Sequence, residues 1–233
     1  MKNKYIGMLF IVGAIGVLLP YTTLTIIFDY PDILREDAGV ILTKFHDGGS
    51  TLILVWWLFG ILGIPLLIAL PELGKKLEEQ SKVSVRWITT LGIIGLIVQM
   101  IGLLRWTFVV PLIANNYISG DESTKAAAKV AFEVVHQYGG VVLGEHIGQL
   151  FSILWTVMMT LTFSRLNFLP KWMILLGYIS SFIYVLAQTE LFATVITDFI
   201  VINWAGFVGS SLWLVWLIAL GIYLQQKQLP IRY

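Results

Sequence analysis

Apolar positions in this chain come in long unbroken runs, not in the alternation of a strand or the single stripe of a soluble helix. A helix that crosses about 30 Å of hydrocarbon needs roughly 20 such residues. Six segments reach that length: 5–28, 50–70, 87–114, 140–163, 172–195 and 203–224. The fourth can start near residue 126, since Asp121 and Glu122 suit a helix start and 126–135 has good helix propensity. The pattern predicts an all-α fold, a polytopic membrane protein whose single domain over 1–233 is a six-transmembrane-helix bundle. The first run, behind Lys2 and Lys4, continues to Phe28 without a small-x-small cleavage site, so it reads as a retained helix and not a signal peptide.

Charge in the connections sets an expected orientation, because Lys and Arg near helix ends stay on the cytoplasmic side. One set of connections holds ten basic residues: Lys2, Lys4, Lys75, Lys76, Lys82, Arg86, Arg165, Lys171, Lys227 and Arg232. The other holds four: Arg35, Lys44, Lys125 and Lys129. Both termini are therefore expected in the cytoplasm (N-in/C-in) of a multi-pass protein of the cell membrane. The longest connection, 29–49, falls outside and carries Asp29, Asp32, Glu36, Asp37 and Asp47. No connection is large enough for a separate soluble domain, which leaves the bundle or its rim for any site. The two halves share no spacing of Pro, Gly or charge, which weighs against an inverted-repeat transporter. Trp87, Trp106, Trp172 and Trp204 lie near helix ends, where interfacial anchors are expected.

Composition agrees. Charged residues make up 12% of the chain, against about 25% in soluble domains. A net charge of +1 gives no basic excess for nucleic acid. The absence of cysteine excludes disulfides, thiolate nucleophiles, iron–sulfur clusters and Cys-type zinc sites.

Against this background, four ionisable side chains within apolar segments stand out: Arg105, Glu145, His146 and Glu190. Charge at membrane depth is costly and faces the bundle interior, which makes each a candidate site residue. Arg105 lies 19 positions past Arg86, Glu145 lies 20 before Arg165, and Glu190 lies 19 past Lys171. At 1.5 Å per residue all three reach one level, roughly 28–30 Å from the inner face. Thr22, Thr23, Thr25, Thr107, Gln149, Gln188, Thr189 and Asn203 also fall in outer halves, while the inner halves of several helices are almost wholly apolar. The expected shape is a polar pocket open to the outside above a sealed cytoplasmic half. The alternative is structural: Arg105 paired with Glu145 or Glu190 to lock the bundle. Gly140, Gly144 and Gly148 recur every four residues, a helix-packing stripe that aims Glu145 and Gln149 along its edge.

Metal chemistry has little to work with. His136 and His146 are ten residues apart, about 15 Å along a helix and too far to share one ion. Glu133 and His136 have the spacing of a di-iron helix but lack a second such pair, and a zinc site from His46, His136 and Glu133 would need the outer connection to fold over. No metal or other cofactor is expected. Ser210 and Ser211 follow a glycine without a G-x-S-x-G elbow, and no Gly-rich nucleotide loop occurs.

The stretches LRWTFVVPLIA (104–114), FEVVHQYGGVVLGEHIGQLFSILWT (132–156), the Leu169-Pro170-Lys171-Trp172 turn and NWAGFVGSSLWLVWLIALG (203–221) resemble the bacterial membrane family known as domain of unknown function 4386. The resemblance implies a six-helix integral membrane protein without an assigned activity. It singles out Arg105, Trp106, His136, Gly144, Glu145, His146, Gly148 and Gln149, matches the Glu190 region less clearly, and adds no substrate.

The expected partners are the lipid bilayer and a small-molecule or lipid ligand held by Arg105, Glu145, His146, Gln149, Glu190 and His136. Proton handling through Glu145 and His146 is a related role. Two other readings stay open: an intramembrane lipid-modifying enzyme with Glu145 or His146 as acid or base, and a structural subunit docked on a membrane-protein partner or on a second copy.

Overall fold

Inside a bilayer no water is available to backbone N–H and C=O groups, so a long apolar run closes its hydrogen bonds within itself as helix. A computed structural model describes residues 3–81, 83–227 and 229; Lys2, Lys82 and Arg232, three of the counted basic residues, lie outside them. The described residues form helices and no strand, and six helical columns are long and apolar enough to cross a membrane.

The first column is α1 (Asn3–Ile27). The second joins α2 (Ala38–Ile61) to α3 (Ile64–Ser81), and the third joins α4 (Arg86–Phe108) to α5 (Val110–Ser119). The fourth runs through α6 (Glu122–Val135), a π-helix (His136–Gly148) and α7 (Gln149–Arg165). The fifth is α8 (Lys171–Leu186) with α9 (Gln188–Ala193), and the sixth is α10 (Trp204–Gln226).

Several columns reach beyond their apolar segments because polar caps extend them. Asp121 accepts from the Thr124 amide and starts the fourth column at Glu122. Asp37 accepts from the Gly39 amide at 2.8 Å and starts α2 at Ala38, so most of 38–49, expected as connection, is helix. Gly49, at φ 55°, bends that helix in a backbone region open to glycine at little cost. Only the stretch before Asp37 stays irregular, and it contains a 3-10 turn (Asp32–Arg35). Pro111, which has no N–H to donate, sits in the first turn of α5 just after the break at Val109.

The columns pack as a closed ring in chain order. α1 lies against α2 and α3, α4 against those two and against the π-helix and α7, α7 against α8, and α10 against both α8 and α1. At the end carrying Lys4, Arg86, Arg165 and Lys171, the ring is filled: Trp155 meets Phe10 at 6.3 Å and Trp216 at 5.9 Å, and Leu66, Leu70, Leu73, Leu217 and Leu220 surround them. At the opposite end a second core gathers Phe28, Phe45, Trp56, Trp106 and Phe132, with the Trp56 and Trp106 rings stacked 4.8 Å apart. Trp87, Trp172 and Trp204 are exposed on the outer face as anchors should be, but Trp106 is fully buried, a core residue instead of an interfacial one.

Between the two cores, Trp213 donates from Nε1 to Thr156 Oγ1 at 2.9 Å and ties α10 to α7. Trp213→Phe removes the donor and half of the indole, and it is expected to lower stability by about 1–3 kcal/mol in thermal melts of detergent-solubilised protein.

Candidate functional site

The ring is hollow between these cores. A cavity of about 160 Å³ opens there, lined by all six columns. Its floor is apolar, with Leu66, Leu96, Met100 and Leu214, and aromatic rings of Trp56, Phe59, Tyr184 and Trp213 form the walls. Toward the acidic end it meets Arg35, Arg105, Glu145, Gln149 and Glu190. The volume is near that of an engineered apolar cavity (about 150 Å³) that admits benzene.

Packing of the fourth column on α4 shapes one wall. Gly144 sits with its Cβ position 3.5 Å from Gly102 Cα, and Gly148 faces Gly95 and Gln99. Gln99 Nε2 fixes the contact by donating to the Gly148 carbonyl at 3.1 Å and to Ser152 Oγ at 2.8 Å. Gly140 leaves room for the Arg105 guanidinium, which any side chain there would strike. The glycine stripe therefore packs helices, and one of its members also makes space for a charge. Four glycines among thirteen residues also leave the wide π turn uncrowded, and π segments recur at functional sites.

Arg105, Glu145 and Glu190 do reach one region, but the salt bridges there belong to another residue. Arg35, from the 3-10 turn, places Nη2 2.6 Å from Glu145 Oε2 and Nε 2.7 Å from Glu190 Oε1. The first contact is a well-aligned hydrogen bond; the second is a close charge contact with poor hydrogen-bond alignment. Burial works against the Arg35 charge, yet the two carboxylates outweigh it and hold the guanidinium's pKa above its ordinary value. Tyr30, half-buried beside it, has its pKa pushed up by burial and stays a neutral hydroxyl.

Arg105 has no carboxylate within ion-pair distance among the described residues, so the expected pair with Glu145 or Glu190 is not formed. Its Nη1 donates to the Gly102 carbonyl, its Nη2 lies 3.4 Å from His136 Nδ1, and its guanidinium stands 5.1 Å from the Trp106 ring centroid. Arg105 is only 7% exposed, and its Nε has no acceptor among the described residues. Trp56 Nε1, on the same cavity wall, also lacks one.

The histidines stand back. His136 is buried behind Arg105, stacked on Phe132 at 5.2 Å. His146 turns to Gln188, with Nδ1 2.7 Å from Oε1, and Gln188 Nε2 donates to Gln149 Oε1 at 2.9 Å. Neither imidazole is on the cavity wall, contrary to the expectation that both bind ligand; Gln149 is on it. Thr22, Thr23 and Thr25 do not line it either, and each donates to a carbonyl of its own helix. Among the described residues no group of three His, Asp or Glu side chains is placed to hold a metal ion.

The model of the family described as domain of unknown function (DUF4386) matches residues 5–221. The chain belongs to that family. No curated protein and no solved structure matches it. The match covers every residue of the charged layer, while the chemistry of that layer has to be read from its geometry.

Proposed function

We propose that this DUF4386 protein binds a small amphipathic anion in the cavity, with the acidic group at Arg105 and the apolar body on the aromatic floor. The observation that carries the reading is Arg105 itself: a buried guanidinium on a cavity wall, with no carboxylate partner among the described residues and one N–H unsatisfied by them. An unmet buried donor is costly, and an incoming acceptor relieves that cost. Trp56 Nε1 offers a second waiting donor. Arg35 is already engaged by two carboxylates, which leaves Arg105, of the two cavity-wall arginines, to take an anion.

The excess of Lys and Arg at the filled end supports placing that end, with both termini, in the cytoplasm of the bacterial cell membrane. The cavity then faces outward. An enzymatic reading, with Glu145 and His146 as acid and base, has weaker support, because Glu145 is held by Arg35 and His146 by Gln188.

Benzenesulfonate is a suitable probe: one ring and one permanently ionised acid. Trp56, Trp106 and Trp213 line the cavity, so binding should change tryptophan fluorescence. Arg105→Gln should raise the Kd by about tenfold to a hundredfold, the worth of one charged hydrogen bond. A variant that folds and binds as tightly as wild type would remove Arg105 from the site.

A further inference from the structure

Charge balance decides what must enter with an anion. The layer at the cavity mouth sets Arg35 and Arg105 against Glu145 and Glu190, and it is neutral when all four are ionised. The titratable groups around it are Tyr21 of α1, Tyr30 beyond α1, Tyr184 of α8 and two histidines of the π-helix, His136 and His146, the latter 2.7 Å from Gln188 of α9; α2 and α10 present only Trp56, Phe59, Gly60, Gly206, Ser210, Trp213 and Leu214. Among the described residues the cavity wall carries no charged side chain besides Arg35, Arg105, Glu145 and Glu190. A bound anion alone would leave a net negative charge in a mostly apolar chamber, which is strongly disfavoured.

We infer that each anion enters with one proton, and that Glu190 receives it. This rests on the anion-binding reading above and deepens it. Glu190 is the more accessible carboxylate, its side chain 28% exposed against 17% for Glu145. It sits on α9, a short helix beyond the turn at Ala187. Its contact with Arg35 is also the poorly aligned one, so protonation there gives up less than at Glu145. The Glu190 carboxylate becomes a carboxylic acid, Arg35 keeps Glu145, Arg105 takes the anion, and the layer is neutral again. Neither histidine stands on the cavity wall to take its place: His136 Nδ1 faces the Arg105 guanidinium, and His146 Nδ1 is engaged by Gln188.

The test is the pH dependence of benzenesulfonate binding, since that probe cannot carry the proton itself. From pH 6 to 8 the wild-type Kd should rise about tenfold per pH unit, the slope for uptake of one proton. Glu190→Gln should bind at pH 8 more tightly than wild type does even at pH 6, with no slope. An indicator dye in weakly buffered wild-type protein should register one proton taken up per anion, a reading that needs no variant. A flat wild-type profile, a slope retained in Glu190→Gln, or an affinity that follows sodium instead of pH would overturn the coupling and leave anion binding standing. Wild-type protein that binds no benzenesulfonate at either pH would overturn both.

Discussion

Arg35→Leu is expected to lower the stability of the folded protein by about 2–4 kcal/mol, because it strands Glu145 and Glu190 together at the mouth of the cavity. Removing one partner of a buried pair typically costs about 3–5 kcal/mol, and the partial exposure of these three side chains trims that figure. Thermal melting of detergent-solubilised protein measures the loss. Most of the penalty comes from leaving the carboxylates unpaired, so Arg35→Leu combined with Glu145→Gln and Glu190→Gln should regain the larger part of it. Arg35→Lys should recover less, since an ammonium lacks the rigid fork that reaches both carboxylates. Wild-type melting in Arg35→Leu would mean that the bridge is a surface contact worth nothing to the fold.

The residue in that experiment is one that sequence reasoning placed in a loop. Counting from the basic helix ends brought Arg105, Glu145 and Glu190 to one level, because rise per residue in a helix is nearly fixed and apolar runs show where helices are. The same count held a warning: two carboxylates against one guanidinium leave an unmatched negative charge at membrane depth. Arg35, Lys44, Lys125 and Lys129 were the basic residues near enough to supply the missing partner. Nothing in the order of residues says which, because the path of 28–37 depends on how Ile33 and Leu34 bury themselves against the second core. Lys44 and Lys129 instead meet Asp29 and Asp37 at the rim.

The π-helix was hidden for a different reason. Glycines four apart fall near one face at 3.6 residues per turn and also at the wider π turn, so their spacing suits either. Trp106 went astray because position near a helix end suggested the interface, whereas Phe28, Phe45, Trp56 and Phe132 enclose it. The sealed half, by contrast, was legible: runs of Leu, Ile and Trp without a polar break can only pack or face lipid, and Phe10, Trp155 and Trp216 pack.

The seam between α4 and the π-helix is where a single added side chain should do the most harm. A Cβ at Gly102 would lie 2.8 Å from the Gly139 carbonyl oxygen and 2.8 Å from Gly144 Cα. Both obstacles are backbone, which cannot rotate away as a side-chain tip can. Gly102→Leu must therefore push the two columns apart. Moving them also breaks the Gln99 bonds to Gly148 and Ser152 and shifts Gly140 off the Arg105 guanidinium. Overpacking of a close-packed core costs about 1–3 kcal/mol, and here the lost hydrogen bonds add to it, for an expected total of about 3 kcal/mol or more. Gly139→Ala is the control on the same seam: its Cβ would meet only the flexible Arg105 Cδ, at 3.4 Å, and should be tolerated. Monodisperse elution and melting of the two variants side by side make the comparison. Equal, wild-type behaviour would show that the columns are not held at the close approach on which the Arg105 pocket depends.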